Sequence, residues 1–250
     1  MRLTLAEPRF LKDPISIISE LVNEIRFKID KDKIEVIAMD PANVAMVVFR
    51  ILSSAFVEYE VKTKQEIAVS LDHLKNVLRR AKPSDTLVME LDEEKNKLRI
   101  SLKGDSSRTF NLSLIDIEAR EQKIPDLKFL ARVDLNTMVF DEAIEDMDVV
   151  SESVMFNLEA KKFTITAEGT TSEGRVEISN DEETNILLDG IEPVMAKYSV
   201  EYLKKIIKGS KLTDKMTIYF SKDYPLRIDY VIKDKMSLST ILAPRQRTEN

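Results

Sequence analysis

The 250-residue chain has no cysteine and only one histidine, His73. These absences exclude a disulfide framework, a thiolate nucleophile and a zinc site built from several cysteines or histidines. Only five glycines are present, which leaves little material for phosphate-binding loops. Residues 169–174 have the glycine spacing of such a loop, but Arg175 and Val176 follow where a lysine and a hydroxyl residue are required. We interpret this segment as a turn between two strands.

Long apolar runs and an excess of positive charge are also missing. No stretch approaches the roughly 18 apolar residues of a membrane-spanning helix, and the first ten residues lack the apolar core of a signal peptide. A cytoplasmic protein is therefore expected. The net charge is −6, so the overall field would not by itself attract nucleic acid. A chain of this length is expected to form two domains.

The chain does contain an internal repeat with an offset of 129 residues. The segment 25–38 matches 154–167, and each has the alternating apolar residues of a β-hairpin. At the same offset, 71–82 matches 200–211, and both have apolar residues at helical spacing. A second hairpin follows each of these helices. A further amphipathic stretch comes earlier in each half, near residues 9–24 and 137–150.

This repeat predicts two similar domains of the α+β class. In each domain, two helices are expected to cover one face of a largely antiparallel sheet. The polar segment 116–128, which contains Pro125, is interpreted as a linker. The predicted boundaries are residues 1–115 for the first domain, 116–130 for the linker and 131–250 for the second domain.

The two matched helices carry basic stripes at equivalent positions. These stripes consist of Lys75, Arg79 and Lys82 in the first helix and Lys204, Lys208 and Lys211 in the second. A single basic stripe is usually a solvated face, whereas its repetition in an acidic chain makes contact with a nucleic-acid backbone an equal alternative. Sequence-specific reading is not expected, because the chain has no recognition helix, zinc finger or aromatic RNA-binding motif.

Candidates for catalysis are few. The third amphipathic stretch carries an acidic stripe of Asp141, Glu145 and Asp148, which would repel phosphate. Asp146 and Asp148 suggest a divalent metal, but residues two apart on a helix point about 200° apart and cannot easily share one ion. A solvated acidic helix is favoured, and neither catalysis nor a cofactor or metal is expected. A metal-dependent enzyme that uses these carboxylates is the less favoured alternative.

Seven groups of residues follow one another across nearly the whole chain. They are Leu21–Glu24, Ala38–Val44, Leu114–Asp116 with Ile124–Pro125, Glu192–Pro193, Tyr202–Leu203, Asp223–Leu226 and Ile241–Arg245. In this order, and together with the duplication and the linker, they resemble the proliferating cell nuclear antigen (PCNA) family of archaeal and eukaryotic sliding clamps. The resemblance implies a DNA clamp fold, in which three two-domain subunits form a ring with helices inside and sheets outside. It also implies the function of a DNA polymerase processivity factor.

The same resemblance assigns a role to the basic residues. In the implied ring, the residues that face the duplex backbone are Lys12, Lys75, Arg79, Lys82, Lys204, Lys208 and Lys211. The family usually has basic residues on the third helix as well, where this sequence has Glu142 and Glu145. The lining is therefore not expected to be uniformly basic.

The resemblance also implies a pocket for partner peptides and an interface between subunits. Family partners dock a Gln-x-x-aliphatic-x-x-aromatic-aromatic peptide beneath the linker. Carried over by position, the pocket comprises Met39, Asn43, Val44, Met46, Gln122, Ile124, Pro225, Ile241, Ala243 and Pro244. Strand 107–115 of one subunit is expected to pair with strand 172–179 of the next. The interface residues are then Arg108, Phe110, Leu112, Arg175, Val176 and Ile178.

The implied partners are double-stranded DNA of any sequence, a replicative DNA polymerase, a clamp loader, a flap endonuclease, a DNA ligase and further clamp subunits. Two assemblies stay open, a homotrimer and one subunit of a heterotrimer. The expected location is the cytoplasm, associated with the nucleoid, in an archaeon, or the nucleus in a eukaryote.

Overall fold

The computed structural model describes residues 1–117 and 122–246, so residues 118–121 of the predicted linker lie outside the described residues. The described residues form four α-helices and eighteen β-strands. They separate into two compact units. Unit 1 contains Met1–Pro41, Val47–Ile124 and Ile232–Leu238, and unit 2 contains Ala42–Met46, Pro125–Val231 and Ser239–Asn250.

The first half of the chain contains nine strands and two helices. In chain order they are β1 (Arg2–Leu5), α1 (Arg9–Ile18), β2 (Glu24–Ile29), β3 (Lys33–Met39), β4 (Ala45–Leu52), β5 (Glu58–Glu60), β6 (Gln65–Ser70), α2 (Leu71–Leu78), β7 (Thr86–Asp92), β8 (Lys97–Lys103) and β9 (Ser107–Ser113). One antiparallel sheet has the order β5-β1-β7-β8-β9, and β2 pairs with both β3 and β6.

The second half repeats this order of elements: strand, helix, five strands, helix, three strands. The elements are β10 (Ala131–Asn136), α3 (Thr137–Asp148), β11 (Ser153–Glu159), β12 (Lys162–Glu168), β13 (Glu173–Ser179), β14 (Asn185–Leu188), β15 (Val194–Ser199), α4 (Val200–Ile206), β16 (Lys215–Phe220), β17 (Leu226–Ile232) and β18 (Met236–Leu242). One sheet has the order β13-β12-β11-β15, and β10 lies between β14 and β16. The predicted duplication and fold class are confirmed.

Each pair of helices is held by the apolar residues that the sequence spacing identified. In unit 1, α1 packs beside α2, and Leu11, Ile15 and Leu74 are fully buried. In unit 2, α3 packs beside α4 over an aromatic cluster. The Phe156 ring in β11 lies 5.9 Å from that of Phe140 in α3, measured between ring centroids. Burial of these large side chains is what fixes the helices on their sheets.

Both matched helices end earlier than the sequence pattern predicts. Helix α2 stops at Leu78, and the backbone N–H of Lys82 instead donates to Asp85 Oδ2 at 2.7 Å. Helix α4 stops at Ile206 and continues as a 3₁₀ turn over Ile207–Lys211. A Cβ at Gly209 would lie 2.2 Å from the ring of Tyr230, so the turn approaches this ring more closely than any other residue would allow.

Candidate nucleic-acid and partner interfaces

The basic residues predicted for unit 1 lie on α1, on α2 and in the segment that follows α2. Lys12 Nζ donates to the Ala81 carbonyl at 3.0 Å, which joins α1 to that segment. Lys75 Nζ lies 3.7 Å from the Glu20 carboxylate. Arg79 is exposed. The fourth cation, Lys82, is exposed and forms a 3.2 Å ion pair with Asp105. The fold thus places these basic side chains on α1, on α2 and just beyond the end of α2.

Lys204 of unit 2, which is equivalent to Lys75 at the 129-residue offset, has a different environment. Lys204 Nζ lies 2.5 Å from Asp148 Oδ2 and 3.8 Å from Glu145 Oε2, both on α3. The sequence shows the basic and the acidic stripes, but we did not predict this pairing from it. The repeat does indicate that the lysines of the two halves differ in environment. At the offset of 129 residues, the acidic Glu145 and Asp148 take the positions of the uncharged Ser16 and Ser19.

The rest of the predicted basic stripe in unit 2 lies on the 3₁₀ turn, where Lys208 is half-buried and Lys211 is exposed. A third carboxylate of α3, Asp141, reaches this turn and is hydrogen-bonded to the Ser210 side chain. Burial raises the pKa of the Asp141 carboxyl above its ordinary value. Carboxylates from α3 therefore lie beside Lys204 and beside the 3₁₀ turn that carries Lys208 and Lys211.

Removing Asp148 should change the titration of Lys204. The hydrogen bond to Asp148, followed by the charges of Asp148 and Glu145, raises the pKa of the Lys204 ammonium above 10.5. A cation that gains a partner on folding contributes stability below its unfolded pKa, and this contribution is lost as the pH rises through the folded pKa. Asp148→Asn should lower the pKa of Lys204 in an NMR titration of its side chain. Asp146→Asn is the matched control, and an equal effect of both changes would contradict the pairing.

Strand β13 is an edge strand of its sheet. The Gly169 N–H donates to the Ser172 carbonyl, so these two residues form a hydrogen-bonded pair at the start of the ladder between β12 and β13. Because hydrogen-bonded and non-hydrogen-bonded pairs alternate in an antiparallel ladder, the backbone groups of Arg175 and Glu177 point away from β12. Those of Val176 point toward β12. The outer edge of β13 is therefore available to another strand.

Strand β9 is likewise at the edge of the five-stranded sheet. A hydrogen bond from the Leu114 N–H to the Asn96 carbonyl fixes its pairing with β8. By the same alternation, the backbone groups of Thr109 and Asn111 point outward and those of Phe110 point toward β8. The side chains of Phe110 and the neighbouring Leu112 are half-buried.

Two of the predicted interface side chains are engaged within their own unit. Arg108 Nη1 donates to the Arg80 carbonyl at 3.0 Å, and the Arg108 guanidinium pairs with buried Asp85. The hydrogen bond from the Lys82 backbone, and then the one from Arg108, lower the pKa of Asp85. Ile178 is only 6% exposed and belongs to the core of unit 2. Backbone groups and the other side chains of the two strands are the accessible part.

The predicted peptide-binding residues of unit 2 lie on two neighbouring segments. The Ala243 N–H donates to the Val44 carbonyl at 2.9 Å, so the segment 42–46 lies beside the end of β18. Met46 and Ile241 are only 5% and 8% exposed, which makes them buried residues rather than open surface. The remaining residues of this set in unit 2 are exposed or half-buried: Asn43, Pro225 and Pro244.

The predicted peptide-binding residues of unit 1 lie at the end of β3 and in the linker. Met39 and Gln122 line one cleft of this unit together with Ile117. Arg26 Nη2 donates to the Ile117 carbonyl at 2.5 Å, which anchors the chain just before the linker. Ile124 is 39% exposed, so an apolar side chain of the linker is open to solvent.

The segment with the glycine spacing of a phosphate-binding loop is a turn, as predicted from the sequence. Residues 169–172 form the turn between β12 and β13. Within the described ranges, no group of three or more histidine or acidic side chains could hold a metal ion. No helix in this part of the chain is long and apolar enough to cross a membrane.

Comparison with known families covers nearly the whole chain. The description "Proliferating cell nuclear antigen, N-terminal domain" matches residues 1–123, and "Proliferating cell nuclear antigen, C-terminal domain" matches residues 123–245. The chain belongs to the PCNA family. The resemblance noted from its short sequence stretches is thereby confirmed. This PCNA is a DNA polymerase sliding clamp, a processivity factor without catalytic activity.

Relatives of this PCNA are found in archaea. The DNA polymerase sliding clamp of Pyrococcus horikoshii is 38% identical over 231 residues, which are 92% of each chain. The DNA polymerase sliding clamp of Nanoarchaeum equitans is 36% identical over 247 residues, which are 98% of this chain and 99% of the relative. A crystal structure of PCNA from Thermococcus kodakaraensis matches with a TM-score of 0.91 at 28% identity, over 98% of this chain and 99% of that one.

Proposed function

We propose that this clamp closes into a ring of three subunits around duplex DNA and tethers a replicative DNA polymerase to it. The observation that supports the ring best is a pair of edge strands, β9 and β13, which both direct backbone groups outward. Pairing of β9 with β13 of the next subunit is a head-to-tail contact, and such contacts close into rings when the rotation fits. A heterotrimer would use the same edges and is the alternative.

In the proposed ring, DNA is retained by enclosure rather than by tight binding. The net charge of −6 disfavours a general attraction to DNA, and a closed ring needs cations only on the surface that faces the duplex. Lys75, Arg79 and their neighbours on α1 and α2 provide such cations. Contacts of this kind go to phosphate oxygens and carry no sequence information.

Partner enzymes attach to the proposed ring through short peptides with a glutamine and paired aromatic residues. The polymerase, the clamp loader, a flap endonuclease and a DNA ligase are the partners that we propose. Exposed Ile124 of unit 1 is an apolar side chain of the kind that aromatic anchors require, and half-buried Ala243 and Pro244 of unit 2 are others.

Neutralising the basic helix faces should weaken DNA association and its dependence on salt. In a variant with Lys75, Arg79, Lys204 and Lys208 changed to alanine, the association constant K for DNA should depend less on salt. The slope of log K against log salt should become shallower by about 0.9 for each phosphate contact removed. The mass of the variant in solution should stay unchanged. Fluorescence anisotropy of a short labelled duplex measures the slope, and primer extension measures stimulation of the polymerase.

A matched control removes the same charge elsewhere on the chain. Four exposed lysines outside the helices serve for this purpose: Lys31, Lys62, Lys64 and Lys233. Changing them to alanine should leave the slope and the stimulation close to those of the wild type. Equal slopes in the two four-alanine variants would show that the helix faces do not contact DNA.

A further inference from the structure

The two halves of the clamp differ in charge on equivalent helices. At the 129-residue offset, Lys12 of α1 is replaced by Asp141, and two serines of α1 or its C-terminal cap are replaced by carboxylates of α3. Residues 8–19 and 71–82 together carry six basic and two acidic side chains. The equivalent residues 137–148 and 200–211 carry four basic and six acidic ones. The change of sign is concentrated on α3.

The contacts show what this difference does to the equivalent lysines. Lys204 in α4 has Asp148 Oδ2 at 2.5 Å and Glu145 Oε2 at 3.8 Å. Lys75 in α2 has one carboxylate nearby, that of Glu20, at 3.7 Å. At the positions of the two α3 carboxylates, α1 and its cap have only hydroxyl side chains, which carry no charge. A phosphate approaching Lys204 must therefore replace Asp148 and meets the negative charges of Asp148 and Glu145, whereas a phosphate approaching Lys75 meets that of Glu20, its one ion-pair partner among the described residues.

We propose that α3 holds Lys204 in an internal ion pair, so that Lys75 of unit 1 contacts phosphate while the equivalent Lys204 of unit 2 does not. This inference rests on the proposed function, because it concerns which part of the DNA-facing surface binds the duplex. Of each equivalent pair of lysines at this position, one is then available to phosphate and the other is not. Retention of DNA therefore depends on enclosure more than in a uniformly basic ring.

The inference can be tested by giving α3 the residues that the first half has at the same positions. In the Glu145→Ser, Asp148→Ser variant, Lys204 loses both carboxylate neighbours and becomes available to phosphate. One additional phosphate contact should steepen the slope of log K against log salt by about 0.9. The ratio of the variant's DNA association constant to that of the wild type should then grow about threefold as salt falls from about 200 to about 50 mM. The Glu145 side chain is 57% exposed and that of Asp148 is 39% exposed, so the fold should tolerate the change.

The control also replaces two acidic residues of α3 with serine, so the net charge changes by the same amount. It leaves the ion pair of Lys204 in place. Glu142 and Asp146 are exposed residues of the same helix, and neither contacts Lys204 among the described residues. Glu142→Ser, Asp146→Ser should leave the slope unchanged. An equal steepening in both double variants would overturn the inference, because the overall field of α3 rather than the Lys204 pair would then determine binding.

NMR of the isotope-labelled clamp with a short duplex distinguishes failure of this inference from failure of the proposed function. In the wild type, amide resonances of α2 should shift on addition of DNA and those of α4 should not. In Glu145→Ser, Asp148→Ser, both helices should show shifts. Comparable shifts of α2 and α4 in the wild type would overturn the inference and leave the proposed function intact. No shift in either helix would overturn both.

Discussion

Replacing Arg175 with proline should reduce the mass of the clamp in solution from about three times 28.7 kDa to that of a single chain. The backbone N–H of Arg175 points away from β12 and is one of the donors that β13 can offer to a neighbouring subunit. Proline removes this donor, and its ring obstructs an incoming strand. The bonds of β13 to β12 use other residues, so the subunit itself should keep its fold. Light scattering combined with size exclusion measures the mass.

The position of the proline decides whether this experiment tests assembly or folding. The backbone groups of Val176 point toward β12, where this residue lies opposite Ile165. A proline at Val176 would break the ladder inside the subunit, and loss of the ring could then follow from local unfolding. Arg175→Ala is the matched control, since it removes the side chain but keeps the N–H group. It should remain trimeric.

A trimer that persists in Arg175→Pro would show that β13 is not the assembly edge. A wild-type chain that is itself monomeric at micromolar concentration would favour the heterotrimer instead, because the chain would then need different subunits on either side. Circular dichroism of the variant, compared with that of the wild type, verifies that unit 2 is folded.

The duplicated fold was predictable because it depends on local patterns that occur twice. Alternating apolar residues in 25–38 and 154–167, and helical spacing in 71–82 and 200–211, are set by which side chains enter the core. Ends of elements are a different matter. Helix α2 ends at Leu78: the N–H groups of Arg80 and Ala81 bond to carbonyls three residues back, and that of Lys82 bonds to Asp85. No apolar periodicity within the helix contains that information.

The candidate sites were predictable only as sets of residues. Composition identifies Lys204 as basic, but its pairing with Asp148 depends on how α3 packs beside α4. Similarly, an apolar residue can belong to the wall of a pocket or to the core. Met46 and Ile241 were assigned by resemblance to the peptide pocket, and burial shows that little of either side chain is open to a ligand. Ile124 is the member of this set with a clearly exposed apolar side chain.

Changing Ile124 to aspartate should abolish most of the affinity of the clamp for partner peptides. A peptide with the family's glutamine and paired aromatic residues should bind the wild type with a Kd of about 1 μM, which corresponds to roughly −8 kcal/mol. Ile124 is 39% exposed, so a charge there should not disturb the fold, but it would lie against the aromatic anchors. Loss of an anchor contact of this kind costs about 2 kcal/mol or more, or roughly a thirtyfold weaker Kd by calorimetry.

The control and the choice of position make this result specific to the peptide surface. Ile191 is 99% exposed and lies outside the proposed peptide surface, so Ile191→Asp should bind the peptide as the wild type does. Met46→Asp would be a less informative variant, because a charge at a side chain only 5% exposed should destabilise the subunit itself. Wild-type affinity in Ile124→Asp, with the ring mass retained, would show that partner peptides do not use the linker.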